Sequence, residues 1–219
     1  MTTLNAIQPL LDRLFAESDT TRPALHAAFA SVPAAEQAHL MQSKTDYLEL
    51  YTRLKDFALP VSPAAGQLLY MLVRSSRAEN IVEFGTSLGI STLHLAAALR
   101  DNGGGRIIGS EFEPGKIARA RAHIKEAGFD DLVEIREGDA LQTLSKNLPE
   151  RIDLLLLDGA KGLYLDILAL VENRLRVGAI IIADNADHSP AYLARVRGTG
   201  NGYLSLPFGD DVELSVKVK

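Results

Sequence analysis

Two apolar runs in the sequence end in side chains that can bind a metal ion or transfer a proton. Four consecutive leucines lead into Asp158 and then Lys161, and three consecutive isoleucines lead through one alanine into Asp184 and Asn185. Two carboxylates and an amide are hard oxygen donors, which suit Mg²⁺, Ca²⁺ or Mn²⁺ better than Zn²⁺. A cation with three protein ligands keeps positions open for water and substrate, and it stabilises a bound oxyanion. The pattern therefore indicates a site that activates an oxygen nucleophile.

Each of these residues also has a purely structural interpretation. Asp158 and Asp184 are suitable caps for the helices that follow them, and Asn185 is a suitable residue for an Asx-turn. For one strand alone the structural and functional interpretations are equally good. Two strands that deliver oxygen donors at the same edge of a sheet favour one shared site.

The segment VEFGTSLGIS predicts a strand, a loop that contains Gly85 and Gly89, and a helix from about Ile90. Glycine permits a tight turn and a close ligand approach, and the helix N-terminus offers free N–H groups to an anion. A dinucleotide fingerprint requires G-x-G-x-x-G, so this spacing disfavours a nicotinamide cofactor. Taken alone, the two glycines are explained equally well by a plain turn.

Acidic residues lie within or after the first three predicted strands. Glu111 ends the second strand, where a carboxylate can bond both hydroxyls of a ribose, and Asp139 follows the third as a candidate for an adenine edge. Glu83 lies inside an apolar strand, where its burial requires a partner such as a ligand ammonium group. The structural alternatives are helix N-termini, for Glu111 or Glu113 after the second strand and for Asp139 after the third. Together the positions favour an adenosine-type ligand.

Hydrophobic periodicity predicts the elements that position these residues. Residues 1–73 show helical spacing, and Ser62 before Pro63 predicts an N-cap followed by proline at the first helical position. From Asn80 onward, short β-rich runs alternate with helical patterns, one of them near 139–147. Because the apolar strands are continuous, we expect a parallel sheet with helices on both faces. GYLSL and VELSVKV, separated by PFGDD, predict an antiparallel hairpin at the edge.

The predicted fold class is therefore α/β. We expect a doubly wound, Rossmann-like, mostly parallel seven-stranded sheet with a C-terminal antiparallel hairpin and an N-terminal helical cap. Ligands of such sheets bind beyond the carboxyl ends of the strands, where Asp158 and Asp184 are predicted to lie.

Composition narrows the class of protein. The chain has 219 residues, a net charge of −5 and no cysteine. An acidic chain without a basic cluster lacks the electrostatic footprint of a nucleic-acid-binding protein. The absence of cysteine excludes disulfides, thiolate catalysis and Cys-ligated metal sites. No signal peptide or membrane-spanning run is evident, so we expect a cytoplasmic protein with no nucleic-acid and no membrane partner.

In this order, VEFGTSLGIS, SEFEP, LLLLDGAK and IIIADNAD resemble the class I S-adenosylmethionine-dependent methyltransferases. More narrowly, they resemble the metal-dependent O-methyltransferases of the catechol and caffeoyl-CoA type. The resemblance covers about residues 60–219, and SPAYLARVRGTG followed by VELSVKV is similar to catechol O-methyltransferase in particular. It implies a helical cap at 1–60, within the same domain, and a methyltransferase domain at 61–219.

The resemblance also implies roles for individual residues. Glu83, Gly85 and Ser91 would surround the methionine part of S-adenosylmethionine, Glu111 would hold the ribose, and Asp139 would lie near the adenine.

On the acceptor side, the resemblance implies that Asp158, Asp184 and Asn185 bind a divalent cation, usually Mg²⁺, with Asp158 also bordering the cofactor. Lys161 would be the general base that takes the proton from the attacking hydroxyl. Near a cation the ammonium form of Lys161 is disfavoured, so we expect its pKa to be lowered.

The sequence departs from the family pattern beside this site. Gly159 and Ala160 stand where family members often carry larger residues, which implies a roomier wall or another side chain that fills the space. The loop with a carboxylate that grips the second hydroxyl of a catechol is short here, and Asp210 or Asp211 is the alternative carboxylate. The N-terminal helices match no specific motif, and a homodimer through them is expected by analogy only.

Other residues near these motifs have simpler interpretations. His94 is predicted to be a core or cofactor-lining residue. His188 is predicted to be a surface-loop residue, with contact to the substrate as the alternative. Met41, Tyr47 and Tyr51 are predicted to be packing residues, with lining of the acceptor pocket as the alternative.

The predicted function is metal-dependent transfer of a methyl group from S-adenosylmethionine to a hydroxyl of a small aromatic acceptor, catechol-like or phenolic. One alternative is a metal-independent methyltransferase that acts on another oxygen or nitrogen. Another is a non-catalytic protein that binds an adenosine-type ligand.

Overall fold

The computed structural model describes residues 1–30, 32–209 and 211–219. Its helices are α1 (Thr3–Ala6), α2 (Gln8–Ala30), α3 (Ala34–Gln42), α4 (Tyr47–Arg53), α5 (Pro63–Ser76), α6 (Ile90–Asn102), α7 (Pro114–Glu126), α8 (Ala140–Thr143), α9 (Tyr164–Val171) and α10 (Pro190–Arg197). Its strands are β1 (Asn80–Phe84), β2 (Arg106–Glu111), β3 (Val133–Glu137), β4 (Ile152–Leu157), β5 (Leu175–Ala183), β6 (Tyr203–Phe208) and β7 (Val212–Lys217).

The strands of the described residues form one seven-stranded sheet in the order β3-β2-β1-β4-β5-β7-β6. Strands β1 to β5 are parallel, whereas β7 is antiparallel to β5 and β6. This topology confirms the predicted fold class. The order reverses between β1 and β4, and in open α/β sheets such a reversal opens a crevice at the carboxyl ends of the strands.

The central strands are buried on both faces, as their continuous apolar sequences predict. Side chains alternate along a strand, so Ile81 and Leu154 pack into one core layer while Val82 and Leu155 pack into the other. The first layer lies against α5, α6 and α7, and the second lies against α8, α9 and α10. The sheet is therefore a rigid support for the loops at its carboxyl edge.

The start of the chain packs into the first core layer. Leu11 and Leu14 of α2 are buried there together with residues of α5 and α6. The backbone N–H of Thr3 donates to both carboxylate oxygens of Asp101 at 3.1 Å, and the Tyr70 hydroxyl donates to the same carboxylate at 2.6 Å. These bonds tie α1 and α5 to the end of α6.

Local signals set several helix boundaries. The Ser62 side chain accepts a hydrogen bond from the Ala65 N–H at 3.1 Å, and Pro63 follows as the first helical residue, which confirms the predicted cap of α5. Two other boundaries were predicted wrongly. The helix expected near 139–147 is only the single turn of α8, and β6 continues through Pro207 to Phe208 instead of ending before PFGDD. Proline is tolerated there because β6 is an edge strand.

Among the described helices, none combines the length and the apolar composition needed to cross a bilayer.

Candidate active site

The ends of β4 and β5 bring together the two acidic residues that the sequence singled out. The strands are parallel neighbours with Leu157 opposite Ala183, and the Asp184 N–H donates to the Leu157 carbonyl at 2.9 Å. Asp158 and Asp184 therefore leave the sheet side by side. Their carboxyl groups lie within hydrogen-bonding reach of each other.

Lys161 completes this group from the short 3-10 turn that follows β4. Its Nζ lies 3.2 Å from Asp158 Oδ1 and donates to the Tyr164 hydroxyl at 2.8 Å. The same hydroxyl donates to the Asp184 carbonyl oxygen at 2.7 Å, so Tyr164 links the two loops. Asp158, Lys161, Asp184 and Asn185 are called the strand-end cluster below.

Burial and mutual charge govern the pKa values of the cluster. Burial raises the pKa of Asp158 well above its ordinary value, with Lys161 opposing the shift and Asp184 reinforcing it. Burial also raises the pKa of Asp184. Burial disfavours the Lys161 ammonium, but Tyr164 and Asp158 outweigh it and hold the Lys161 pKa well above its ordinary value. The lowering of the Lys161 pKa was predicted for a site that holds a cation and stays a prediction; the charges of the chain alone raise that pKa.

The strand-end cluster has a donor set that suits a hard divalent cation. Double ionisation of two buried carboxyl groups within hydrogen-bonding reach is strongly disfavoured unless a cation compensates it. The Asn185 amide nitrogen donates to Asp211 at 3.3 Å, which leaves the amide oxygen as a third donor. Within residues 1–30, 32–209 and 211–219, no three His, Cys, Asp or Glu side chains form a metal-binding group. A cation here therefore depends on the Asn185 amide.

Asp210 and Asp211 were the two candidates for binding the second hydroxyl of a catechol. Asp210 lies outside the described residues. Asp211 bonds the Asn185 side chain, and its carbonyl oxygen accepts a hydrogen bond from the Ala186 N–H at 3.0 Å. Asp211 therefore orients the Asn185 amide, as the outer partners of metal ligands commonly do.

The glycine loop after β1 packs directly on the loop that carries Asp158. Gly85 has φ +95°, and a Cβ at this position would lie 2.6 Å from the Asp158 carbonyl group and from the Gly159 nitrogen. The Asp158 N–H donates to the Phe84 carbonyl at 2.8 Å. Glycine is therefore required here by the close approach of two backbone segments as well as by the turn.

Glu83 is fully buried, and the chain itself supplies its partners. Its carboxylate accepts hydrogen bonds from Thr86 Oγ1 at 2.9 Å, from Ser91 Oγ at 2.6 Å and from Thr92 Oγ1 at 2.6 Å. Burial raises its pKa, and these hydroxyls counteract the shift in part. A ligand ammonium group is thus not needed to explain its burial, contrary to the expectation from sequence. Glu83 instead fixes the glycine loop and the first turn of α6.

Glu111 lies beside the same loop and borders a cavity at the carboxyl ends of β1, β2 and β4, called cavity A. Its carboxylate accepts from the Ser87 N–H at 2.8 Å and from the N–H groups of Phe112 and Glu113. Glu113 caps α7 by accepting from the Lys116 N–H at 2.6 Å. The helix-capping alternative therefore applies to Glu113, which leaves Glu111 at the cavity wall.

Asp139 follows β3, the neighbour of β2, and it both borders cavity A and caps a helix. Its Oδ1 accepts from the Leu141 N–H at 2.9 Å and lies 3.4 Å from the Tyr47 hydroxyl. The structural and functional interpretations of Asp139 are thus compatible. Sequence reasoning missed Lys116, a buried residue that lines cavity A. Burial lowers the pKa of Lys116, and the nearby Glu111 carboxylate opposes this shift. The helical spacing of Lys116 gave no signal that it points inward.

Other side chains fill the space beside Gly159, one of the two outcomes that the sequence allowed. A Cβ at Gly159 would meet the Phe84 ring at 2.5 Å. The Tyr51 hydroxyl donates to the Gly159 carbonyl at 3.3 Å, and its ring lines cavity A. Tyr47 and Tyr51 come from one face of α4, so the packing residues predicted from sequence also border a cavity. Ser91 and Gly85 line a smaller cavity that Asp158 also borders.

The two histidines near the motifs lie outside these cavities. His94 is buried, its Nδ1 lies 2.8 Å from the Ile90 carbonyl oxygen, and burial lowers its pKa. Its ring packs against Gly66, where a Cβ would clash with it at 2.6 Å. His94 is therefore a core residue. His188 is half-buried, and its Nε2 lies 3.7 Å from the Asp187 carboxylate.

A second cavity, of about 260 Å³, lies between the strand-end cluster and the N-terminal helices and is called cavity B. All four residues of the cluster border it, and Tyr51 and Asp158 border both cavities. The helical side contributes Ser18, Arg22 and Leu25 from α2, Met41 from α3 and Leu54 from the end of α4. An acceptor in cavity B and a ligand in cavity A would meet at Asp158.

Comparison with known proteins connects this geometry to a family. A family described as "Methyltransferase domain" matches residues 82–186. Catechol O-methyltransferase of Niastella koreensis is 36% identical over 131 residues, which cover 58% of this chain and 58% of that protein. Catechol O-methyltransferase of Mycobacterium tuberculosis is 30% identical over 172 residues, which cover 78% of this chain and 69% of that protein. The chain thus spans less than two thirds of the first relative and slightly more of the second.

The fold has close likenesses among solved structures. The crystal structure of an O-methyltransferase from Bacillus cereus in complex with SAH superposes with a TM-score of 0.65 and 24% sequence identity. The superposition covers 93% of this chain and 97% of that one. At this identity the likeness supports the architecture of the sheet and its surrounding helices.

Proposed function

The chain belongs to the S-adenosylmethionine-dependent O-methyltransferases, and on this premise we propose that it methylates a hydroxyl of a small aromatic acceptor with the help of a divalent cation. The donor would be S-adenosylmethionine, bound in cavity A, and the acceptor would bind in cavity B. A vicinal pair of hydroxyls is the acceptor group that best matches a cation with open coordination positions.

One observation carries this proposal. Asp158 borders both cavities, and its carboxyl group lies within hydrogen-bonding reach of Asp184 and 3.2 Å from Lys161. A methyl donor and an oxygen nucleophile have to meet at one point, and most of the acceleration of methyl transfer is positioning. The common wall of the two cavities is such a point, and it carries Asp158; the other two candidate metal ligands, Asp184 and Asn185, border cavity B.

On the donor side, the residues of the chain bind and orient. The Glu111 carboxylate lies at the wall of cavity A. A carboxylate in this position suits the two hydroxyls of a ribose as a hydrogen-bond acceptor. Asp139 suits the adenine edge. Gly85 and Ser91 line the smaller cavity beside Asp158 and suit the methionine part. Glu83 contributes indirectly, because its three hydrogen bonds hold the glycine loop in place.

On the acceptor side, Asp158, Asp184 and Asn185 would hold the cation, usually Mg²⁺ in proteins of this kind. The bound cation supplies a positive charge that lowers the pKa of the acceptor hydroxyl. Asp158 and Tyr164 raise the Lys161 pKa in the chain alone, and a cation held by Asp158 and Asp184 would oppose this effect. The neutral Nζ, fixed by Tyr164 and Asp158, would then be positioned to receive the hydroxyl proton. Tyr51 borders both cavities and forms part of the wall between them.

The metal role is tested by Asp158→Ala. We expect turnover of catechols and phenols, measured by mass spectrometry, to be lost while calorimetric binding of S-adenosylmethionine is largely kept. Asp131→Ala is the matched control, because Asp131 is an exposed carboxylate paired with Arg100 far from the cluster. Full activity of the unaltered protein in excess chelator would contradict the metal role and would favour metal-independent transfer instead.

The role of Lys161 is tested by Lys161→Ala. Loss of a positioned general base typically lowers the catalytic rate about 10²- to 10⁴-fold, and we expect Mg²⁺ affinity to change little. The control is Lys44→Ala, because Lys44 forms an exposed ion pair with Asp166 and does not line either cavity. A catalytic rate of Lys161→Ala equal to that of the control would exclude Lys161 from proton transfer.

A further inference from the structure

We propose that the natural acceptor is an aromatic acid, and that Arg22 binds its carboxylate in cavity B. This inference rests on the proposed function, because it names the acceptor class of the same site. It follows from the distribution of charge and apolar surface around cavity B.

Cavity B has two chemically different walls. The strand-end cluster supplies the polar wall, where the reacting hydroxyl would lie. The remaining surface is largely apolar and comes from Leu25, Met41, Leu54, Leu59 and Pro60. An aromatic ring suits such a cavity, because its flat apolar faces are buried against the apolar side chains.

Arg22 adds a cation to this otherwise apolar side. Ser18, Arg22 and Leu25 are separated by four and three residues, which puts them on one face of α2, and all three line the cavity. Among the lining residues that the structure describes, Arg22 and Lys161 are the cations, and Lys161 is already engaged by Asp158 and Tyr164. Arg22 is thus the cation placed to meet a charged group of the acceptor.

The guanidinium of Arg22 is held only by a weak partner. It lies 2.7 Å from Asp19, one helical turn away, and both side chains are more than half exposed. Exposed pairs of this kind contribute little to stability, so exchanging this partner for a ligand carboxylate is not strongly opposed. A carboxylate can also take two parallel N–H bonds from one guanidinium.

A role as counter-charge for the strand-end cluster does not explain Arg22. Its ion pair is with Asp19, whereas the cluster carboxylates are met by Lys161 at 3.2 Å. If Arg22 acted through the cluster, it would affect every acceptor equally. If Arg22 binds a carboxylate, its replacement lowers the turnover of acids more than the turnover of neutral acceptors.

The test uses matched pairs of acceptors. Dihydroxyphenyl acids with zero, one or two carbons between ring and carboxylate are compared with the corresponding primary amides, in saturating Mg²⁺ and S-adenosylmethionine. We expect kcat/KM to favour the acid of suitable length over its amide by roughly 10- to 100-fold, the range of a charge-assisted bidentate contact. In Arg22→Gln the acid-to-amide ratio should fall towards one, and Arg22→Lys should recover part of it.

Arg13→Gln is the matched control. Arg13 lies on the same helix, is half exposed and pairs with Glu126 at 2.6 Å, outside cavity B. It should keep the full acid preference. Calorimetric donor binding and the Tm of each variant establish that the variants are folded.

The outcomes separate this inference from the proposed function. Turnover of neutral catechols without preference for any acid would refute the inference and leave the proposed function intact. So would an equal loss for acids and amides in Arg22→Gln. No turnover of either class, with or without Mg²⁺, would refute the proposed function and this inference with it.

Discussion

Replacing Gly85 by alanine tests whether the glycine loop and the Asp158 loop are packed as one unit. The backbone of Gly85 has φ +95°, and an added Cβ would lie 2.6 Å from three backbone atoms of Asp158 and Gly159. Since these atoms belong to the main chain, relief requires a shift of the loop that carries Asp158. We expect Gly85→Ala to lower both stability and donor binding.

Two contributions determine the size of the effect. An L-residue in the left-handed region costs about 1–2 kcal/mol, and overpacking of a close contact costs about 1–3 kcal/mol more. The expected loss for Gly85→Ala is therefore roughly 2–5 kcal/mol of unfolding free energy. For a chain of this size, that corresponds to a fall in Tm of about 2–4 °C per kcal/mol.

Gly103→Ala separates the two contributions. Gly103 has a similar φ of +103°, but a Cβ there meets no atom within 4 Å. It should therefore show only the conformational cost, about 1–2 kcal/mol. The assay is thermal denaturation of both variants, together with calorimetric titration of S-adenosylmethionine, for which Gly103→Ala should equal the unaltered protein.

The comparison has a clear refuting result. If both variants lose the same Tm and Gly85→Ala binds the donor normally, the close approach of the two loops has no energetic consequence. The proposal that the glycine loop and the Asp158 loop act as one unit in donor binding would then be wrong.

Two further predictions concern the support of the site. Burial opposes ionisation of Asp153, but the N–H groups of Asn80 and Glu79, both at 3.0 Å, and Arg176 outweigh it and hold its pKa below the ordinary value. Its contribution to stability is therefore present above the ordinary pKa, near 4, and is lost as pH falls through the lower folded value. Asp153→Asn should lose about 1–3 kcal/mol at pH 7 and a smaller amount near pH 3, measured by urea denaturation; an equal loss at both pH values would contradict the assigned shift. Tyr51→Ala should open the wall between the cavities and weaken donor binding roughly 10-fold or more, whereas Tyr51→Phe, which keeps the ring, should bind within about two-fold; equal binding by both variants in calorimetry would exclude a role for the ring.

The convergence of Asp158 and Asp184 was predictable because two rules act together. Long apolar runs indicate strands buried on both faces, and parallel strands put their carboxyl ends at one edge. Neither rule depends on the detailed conformation of side chains. The fold class followed from the same two rules.

The partners of Glu83 were not predicted, although a signal was present. Thr86, Ser91 and Thr92 lie three, eight and nine residues after it, and only the turn at the glycine loop folds these distances into one hydrogen-bonded group. Hydroxyl residues after a buried acid are a sign that such a group is possible, but their convergence depends on tertiary structure.

The Lys161 pKa and the filling of the space beside Gly159 were beyond the reach of sequence. Whether a lysine pKa rises or falls depends on which charges face it, and here Asp158 and Tyr164 do so from within 3.2 Å. Phe84 and Tyr51 fill the wall from two distant parts of the chain. Local pattern carries no information about such meetings.

Some of the residues that line cavity B also line cavity A, and others border cavity B alone. Asp158 and Tyr51 also border cavity A, so a change there alters both binding steps at once. Arg22, Leu25 and Met41 border cavity B alone. Under the proposed function, changes in α2 and α3 would alter the acceptor range and leave the donor side untouched, which makes these two helices the natural starting point for redesigning the protein towards new acceptors.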